Sequence, residues 1–439
     1  MTASDLTPDQ RPTNVRQGVF ALACGTSWLL YLHRYSFALV KPALKKEWDL
    51  GTDDLGYLDS AFSLSYSVFQ IPLGITGDVL GVRIVLTVLI LVWSAGLAFQ
   101  ALAPSMGWLA GARSLFGLGQ SAAYPCLSRV SKQWFPAPVR TTLQGWVAVT
   151  FGRLGGLTSY IVVGGLLMGL FGVDWRPLFL VFAAGGAAFG VLFWTMFRNT
   201  PAEHPRVNAA EAGLFQDEPG AATQPAAVGG VRGLLRRTSR RSLANLLALN
   251  VQTILSTAAD NLYSNWIPLF LAEVYLFDEG QRGVMSALPL MGGAIGGAIG
   301  GALNDRLIRV TGNLAWGRRL VGAGGKGSAG VLLLAGLFVF DSPYVFCTLL
   351  FFVKLFSDSG LATTWGTVTD IGGRATASVF AFNNSIATIG AIVAPLLFGI
   401  VAEHYGWRPV FAAAAGCYIV CGLSWLIIDP RIPVIAEPE

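Results

Sequence analysis

Charge is what this sequence lacks. Only 13% of its 439 residues are Asp, Glu, Lys or Arg, against 53% hydrophobic, whereas a soluble globular domain is typically about 25% charged. With a mean hydropathy of +0.57, the chain is too apolar for an ordinary soluble protein and reads as a polytopic membrane protein. Histidine is scarcer still. The three residues, His33, His204 and His404, form neither an H-E-x-x-H pair nor a His/Cys cluster, which leaves a metal-dependent membrane enzyme without its chemistry. Cysteine is limited to Cys24, Cys126, Cys347, Cys417 and Cys421. All fall in apolar runs, as expected of small buried residues and not of a disulfide framework or zinc site. A phosphate-binding G-x-x-x-x-G-K-[ST] is missing too. VGAGGKGSAG at 321–330 has the glycines and a lysine at the wrong spacing, so ATP-driven transport has no support. The polar start MTASDLTPDQRPTNVRQ lacks a short apolar core with a cleavage site, so no removable signal peptide is expected.

What is present is a series of long apolar runs. A helix needs roughly 20 such residues to cross the hydrocarbon core, and about twelve runs qualify: 18–40, 55–77, 83–104, 107–132, 139–170, 177–197, 242–271, 282–304, 319–340, 343–368, 375–402 and 408–428. Among 53 glycines, GGAIGGAIGGA at 292–302 is the densest stretch, the kind that lets membrane helices approach closely. If residues 1–17 are cytoplasmic, roughly twenty of the 30 basic residues fall in cytoplasmic segments, which satisfies the positive-inside rule and places both termini inside. That asymmetry accounts for the net charge of +5, and no nucleic-acid partner is inferred. The lipid bilayer is the expected surround, and a monomer the expected state.

A polar stretch rich in Pro, Gly and Ala separates two halves, giving bundles at 1–197 and 242–439 and a cytoplasmic linker at 198–241. The halves echo one another. DWRPLFLVFAAGG pairs Trp175, Arg176, Pro177 and Phe179 with Trp407, Arg408, Pro409 and Phe411 of GWRPVFAAAAG. GITGDVLGVR, with Gly74, Asp78, Gly81 and Arg83, matches Gly301, Asp305, Arg306 and Arg318. Duplication of one bundle is the economical explanation, and parallel repeats of this kind surround a site near the midplane.

The runs, the central linker and the G-x-x-x-D-x-x-G-x-R motif after the second run resemble the major facilitator superfamily over essentially the whole chain. YSVFQIPLGITGD at 66–78, RSLFGLGQSAAYPCLSRVSKQWFP at 113–136, GRLGG at 152–156 and RNTPAEHPRVNAAE at 198–211 are similar to its anion:cation symporter branch, which includes sialin-like proteins and hexuronate, galactonate and tartrate permeases. The resemblance implies an all-α fold of two pseudo-symmetric six-helix bundles in the cell inner membrane. It also implies secondary transport of a small organic anion, a sugar acid or other carboxylate, by alternating access. No cofactor is expected; H+ and Na+ are the candidate co-transported ions. RYSFALVKPAL is reminiscent of the organophosphate:phosphate antiporters, which stay open as the alternative alongside an anion facilitator and a transporter-like sensor without flux.

Charges inside the runs need reasons, because each costs about 2.5–3.5 kcal/mol on insertion scales. Arg34 and Arg113 are expected at similar depth near the outer boundary. They either snorkel to the headgroups or converge as a guanidinium pair on an anion. The resemblance favours the second, since the symporter branch carries arginines at both positions and uses them on substrate. Arg153, near mid-depth, binds substrate or is neutralised by a carboxylate. Tyr66 and Gln70, at i and i+4, offer hydrogen bonds to a ligand or to a neighbouring helix. Lys354 and Asp358 have the spacing of a helical ion pair. Asp260 lies in the seventh run, and Asn383 with Asn384 are polar candidates in the eleventh. Four basic residues against two acids leave a positive interior suited to an anion.

Many proton-coupled members of the branch place an Asp before the first-helix arginine and a Glu seven residues after the fourth-helix one. Here His33 and Gln120 stand there. Glutamine does not titrate, so the borrowed coupling mechanism fails at that position and Gln120 is left as a substrate contact. His33, Asp260 and Asp358 are the remaining candidate proton carriers, with a plain helix contact as the alternative for His33; transport without a proton, facilitated, sodium-linked or by anion exchange, stays open beside them. The motif residues Gly74, Asp78, Gly81 and Arg83, with Asp305 and Arg306 in the second half, are read as a gating latch at helix ends.

Overall fold

The computed structural model describes residues 12–136, 139, 143–213, 240–372 and 376–434. Most of the linker, with Arg232, Arg236 and Arg237, lies outside the described residues. Helices α1 (Val15–Trp48), α2 (Thr52–Leu80), α3 (Val82–Ala101), α4 (Met106–Ser121), α5 (Ala123–Trp134), α6 (Gly152–Thr158) and α7 (Trp175–Met196) precede the linker. After it come α8 (Arg240–Asn261), α9 (Ile267–Glu273), α10 (Glu279–Thr311), α11 (Leu314–Gly336), α12 (Pro343–Ser359), α13 (Leu361–Gly372), α14 (Thr376–Tyr405) and α15 (Trp407–Ile427). Wide π turns occupy Trp146–Phe151 and Ser159–Leu170 on either side of α6, and Leu262–Trp266 between α8 and α9.

Each run expected from the sequence falls on helix among the described residues. Among the described residues, eight helical stretches are long and apolar enough to cross a membrane. The other long rods, α1, α2, α4 with α5, and α8 with α9, carry Arg34, Asp59, Arg113 and Asp260 and so read as less apolar. Helix ends follow local chemistry. Asp174 accepts the Arg176 amide at 2.9 Å to start α7, Asp278 and Gln281 form a capping box on α10, and Asn313 caps α11. Both copies of the W-R-P echo open a helix at the tryptophan, Trp175 of α7 and Trp407 of α15.

Contacts divide the chain into two compact units. The first holds residues 1–36, 61–159 and 171–222; the second holds 37–60, 160–170 and 223–439. In the first, α3 packs between α4 and α7, with Trp93, Phe116 and Phe179 buried. In the second, the glycine stripe of α10 lies directly on the backbone of α12. A Cβ at Gly292, Gly296 or Gly300 would run into the carbonyls of Phe351, Leu355 and Ser359 respectively. Dispersion between close backbones replaces the hydrophobic drive that lipid does not supply. Gly296→Leu is therefore expected to force the helices apart, costing about 1–3 kcal/mol by overpacking. A lowered unfolding midpoint of the purified protein would show it; an unchanged midpoint would mean the stripe is not a tight contact.

Residues 429–434 fold back onto α8. Ser242 donates to the Pro433 carbonyl at 2.7 Å, and Asn245 exchanges hydrogen bonds with the Asp429 backbone. The Arg431 guanidinium beside Asp429 holds its carboxyl below the ordinary carboxylate range. A depressed acid stabilises the fold above its unfolded-state pKa, and that contribution fades as pH falls through the folded value. Acid below about pH 4 is thus expected to loosen this segment, read as faster cleavage near residue 430 by an acid-active protease; equal cleavage above and below that pH would contradict it.

Candidate functional site

Arg34 stands on α1 within a ring of aromatic faces. Its guanidinium carbon is 5.2 Å from the Tyr31 centroid, 5.1 Å from Phe62 and 5.0 Å from Tyr66, a set of cation–π contacts. Its Nε donates to Gln120 Oε1 at 2.9 Å, and Gln120 Nε2 donates to the Leu30 carbonyl at 3.1 Å. Both ends of the buried amide are used, so Gln120 fixes the arginine without cancelling its charge. Arg34 Nη2 is buried with no hydrogen-bond partner among the described residues, and an unmade bond of this sort costs about 1–3 kcal/mol. Arg113, on α4, puts its guanidinium carbon 4.9 Å from the same Phe62 ring and is only 3% exposed. Both arginines thus converge on one phenylalanine, and Arg113 is buried among helices.

Tyr66 and Gln70 are half-buried on α2, Tyr66 against Arg34. Arg153 is half-buried on α6, next to Gly152, whose Cβ would meet the Tyr31 ring at 2.8 Å. His33 points elsewhere. It is buried against α7, stacked on Phe182 at 5.7 Å, and neither ring nitrogen has a hydrogen-bond partner among the described residues. One residue of helix turns the side chain about 100° from its neighbour, which separates it from the Gln120 contact.

A second polar cluster lies in the other unit. Lys354 Nζ is 2.8 Å from Asp358 and 2.6 Å from Asp260, and Tyr418 donates to the same Asp260 oxygen at 2.8 Å. The helical pair expected from spacing is there, widened to a triad across α8, α12 and α15. Lys326 joins it, donating to Ser256 at 2.7 Å and Ser357 at 2.8 Å beneath the Tyr418 ring. Two lysines and two aspartates make this cluster electrically balanced. Asn383 donates to Asn250 at 2.9 Å and to Thr253 at 3.1 Å, tying α14 to α8, while Asn384 is exposed.

The latch residues take partners that spacing did not foretell. Asp78 pairs with Arg129 of α5. Arg83 turns to the last turn of α7, donating to the Trp194 carbonyl at 3.0 Å over the Trp194 ring, where a helix C-terminus favours a cation. Gly81, at φ 84°, makes the one-residue corner between α2 and α3. Asp305 accepts from Asn304 at 3.3 Å and Arg306 is exposed; Arg318 pairs with Asp370 at 2.7 Å.

Three buried charges in or beside the apolar runs are absent from the sequence reading, so its tally of four basic residues against two acids is corrected. Lys41 is 0% exposed, Asp59 2% and Lys326 4%. Lys41 falls one residue beyond the first run, Asp59 sits within the second, and Lys326 lies within the ninth, in the glycine-rich VGAGGKGSAG. A carboxylate inside an apolar run was the available signal for Asp59. A separate groove of about 540 Å³, lined by Phe20, Cys24, Trp28, Phe151 and Leu154, is apolar and does not include Arg34.

Comparison with known proteins adds the following. The Major Facilitator Superfamily model matches residues 23–369 and 250–438. A protein described as a probable sulfoacetate transporter of Cupriavidus necator is 29% identical over 430 residues, 97% of this chain and 96% of that one. The hexuronate transporter of Escherichia coli is 26% identical over 440 residues, 96% of each. The crystal structure of a D-xylose-proton symporter superposes with a TM-score of 0.72 at 13% identity, over 94% of this chain and 98% of that one.

Proposed function

The chain belongs to the Major Facilitator Superfamily, and from that premise we propose that Arg34 and Arg113 hold the small organic anion this secondary transporter carries. Of the proteins named above, one is described as a hexuronate transporter and one as a probable sulfoacetate transporter, and the protein is a multi-pass membrane transporter and not an enzyme. One observation carries the assignment of the site. Arg34 is a half-buried cation oriented by a neutral amide, with a buried terminal nitrogen that has no hydrogen-bond partner among the described residues. A carboxylate or sulfonate oxygen supplies what that nitrogen lacks, and a guanidinium fork matches either group. Tyr66 and Gln70 on α2, with Arg153 on α6, are candidates for the remainder of the ligand.

The lysine–aspartate cluster offers an anion no net charge, which favours the arginine site over it. Since Gln120 cannot exchange a proton, anion binding at Arg34 is read as independent of pH. Uptake is then facilitated or exchange-driven, and the proton carriers considered above, His33, Asp260 and Asp358, are not needed for it. We place both termini in the cytoplasm on the distribution of Lys and Arg.

The test is uptake into proteoliposomes of labelled hexuronates, aldonates, small sulfonates and sugar phosphates, with and without an inside-alkaline gradient. Saturable uptake of a carboxylate or sulfonate, unchanged by the gradient, is expected. Uptake of sugar phosphates alone would favour the antiporter reading, gradient-driven accumulation would return a proton to the mechanism, and binding without flux would make the protein a sensor.

A further inference from the structure

The π segment Leu262–Trp266 interrupts the rod formed by α8 and α9 immediately after Asp260. A widened turn upsets the regular carbonyl pairing of a helix, and buried carbonyls need donors. Three successive carbonyls here receive them from side chains far away in sequence. Tyr160 Oη shares its one proton between the carbonyls of Tyr263 and Ser264 at 3.2 and 3.0 Å, and Lys41 Nζ donates to that of Asn265 at 2.8 Å. The Lys41 ammonium also pairs with Asp59 and stands 3.7 Å from the Trp266 ring centroid. Lys41, Asp59, Tyr160 and Trp266 are each 2% exposed or less.

All of these residues belong to the second compact unit, although 37–60 and 160–170 come from the first half of the sequence. Other ties follow the same route. Ser60 donates to the Ile392 carbonyl at 2.8 Å, and Lys45 reaches Glu273 at 2.8 Å and Glu403 at 3.3 Å. The Lys45 pairs are partly exposed, and such pairs contribute little. Lys41 is different. It is dry, and removing one member of a dry pair strands the other.

We propose that Lys41, oriented by Asp59, is the fastening of the π segment, and that making and breaking its bond to the Asn265 carbonyl sets the rate of the transport cycle. Lys41 and Asp59 lie on adjoining helices, α1 and α2, so their pair persists while the bond to Asn265 is released. A π turn beside a polar anchor is a natural two-state element, since its carbonyls have more than one way of being satisfied. Asp59 and Tyr160 act as positioning residues, the first through Lys41. The inference rests on the transport reading for the word cycle, but not for the fastening itself.

Hydrogen–deuterium exchange over residues 262–266 and anion counterflow, measured on the full chain in lipid, test it together. Lys41→Met alone leaves a buried carboxylate and is open to simple misfolding. The Lys41→Met/Asp59→Asn double variant removes that stranded charge and is the decisive protein, with Tyr160→Phe as the companion. The double variant is expected to recover the melting temperature lost by Lys41→Met. Its 262–266 amides should still exchange about tenfold or more faster than wild type, as loss of one buried hydrogen bond implies, and its counterflow rate should shift at least about threefold in the same sense as Tyr160→Phe. A double variant that folds, with 262–266 as protected as in wild type, would overturn the proposal. So would faster exchange with unaltered counterflow. If wild type itself carries no anion while the segment loosens as expected, the transport reading falls and the fastening stands.

Discussion

Arg34→Ala is expected to reduce uptake of the transported anion between about 30-fold and 3,000-fold at subsaturating concentration. The range follows from the roughly 2–5 kcal/mol at stake when one partner of a buried, hydrogen-bonded charge pair is truncated. Arg34→Lys should recover only a minor part. It keeps the charge, but an ammonium has no planar fork, and it gives up the Nε bond that Gln120 receives at 2.9 Å. Arg113→Ala should fall in the same range if both arginines on Phe62 touch the anion. Comparing initial rates at matched protein levels checks each. Near-normal uptake in Arg34→Ala would remove this arginine from the binding site, and full uptake in Arg113→Ala alone would leave Arg34 as a single anchor.

The second large effect is expected from Gln120→Glu. Its size is unchanged and the side chain still meets Arg34, but the ionised acid has no donor for the Leu30 carbonyl that Gln120 Nε2 satisfies at 3.1 Å. A carboxylate there satisfies the guanidinium that the proposed ligand otherwise engages, so uptake at neutral pH should drop by about tenfold or more, the loss of one charge-assisted contact. The sign with pH is definite. Lowering the pH protonates the introduced acid and releases Arg34, so uptake should climb with acidification in the variant while wild type stays flat. An inward proton gradient should drive accumulation only in the variant. A flat profile in both proteins would mean that residue 120 does not govern the charge at the site.

The fold was legible because helix-length apolar runs punctuated by Gly, Pro and polar residues have few other solutions in a bilayer. The W-R-P echo even marked where α7 and α15 begin. Arg34 and Arg113 stood out because a charged group in an apolar run has to be accounted for, and Gln120 because it takes the place of an acid in the family pattern. What stayed hidden is which faces of the helices meet. His33 and Arg34 are neighbours in sequence yet address α7 and α4 respectively. Asp78 found Arg129 and not Arg83, because the α7 terminus offered Arg83 its carbonyls. Lys354 gathered a second aspartate from α8, a tertiary fact that i to i+4 spacing cannot contain. Lys41 escaped because it stands just past the run that a hydropathy window sees, and π turns carry no sequence signature of their own.

Gln120 has a further consequence, for voltage. On the proposed reading, in which no proton accompanies the anion, the ligand crosses the membrane as a net negative charge once the empty carrier returns. Moving one charge through 100 mV is worth about 2.3 kcal/mol, which is about 50-fold in concentration at equilibrium. In a cell held at roughly that potential, negative inside, a monovalent anion carried alone would settle about 50-fold lower in the cytoplasm than outside. Net uptake would then depend on prompt metabolism of the incoming acid, or on swapping it for another anion already within, and the same protein would serve readily as an exporter.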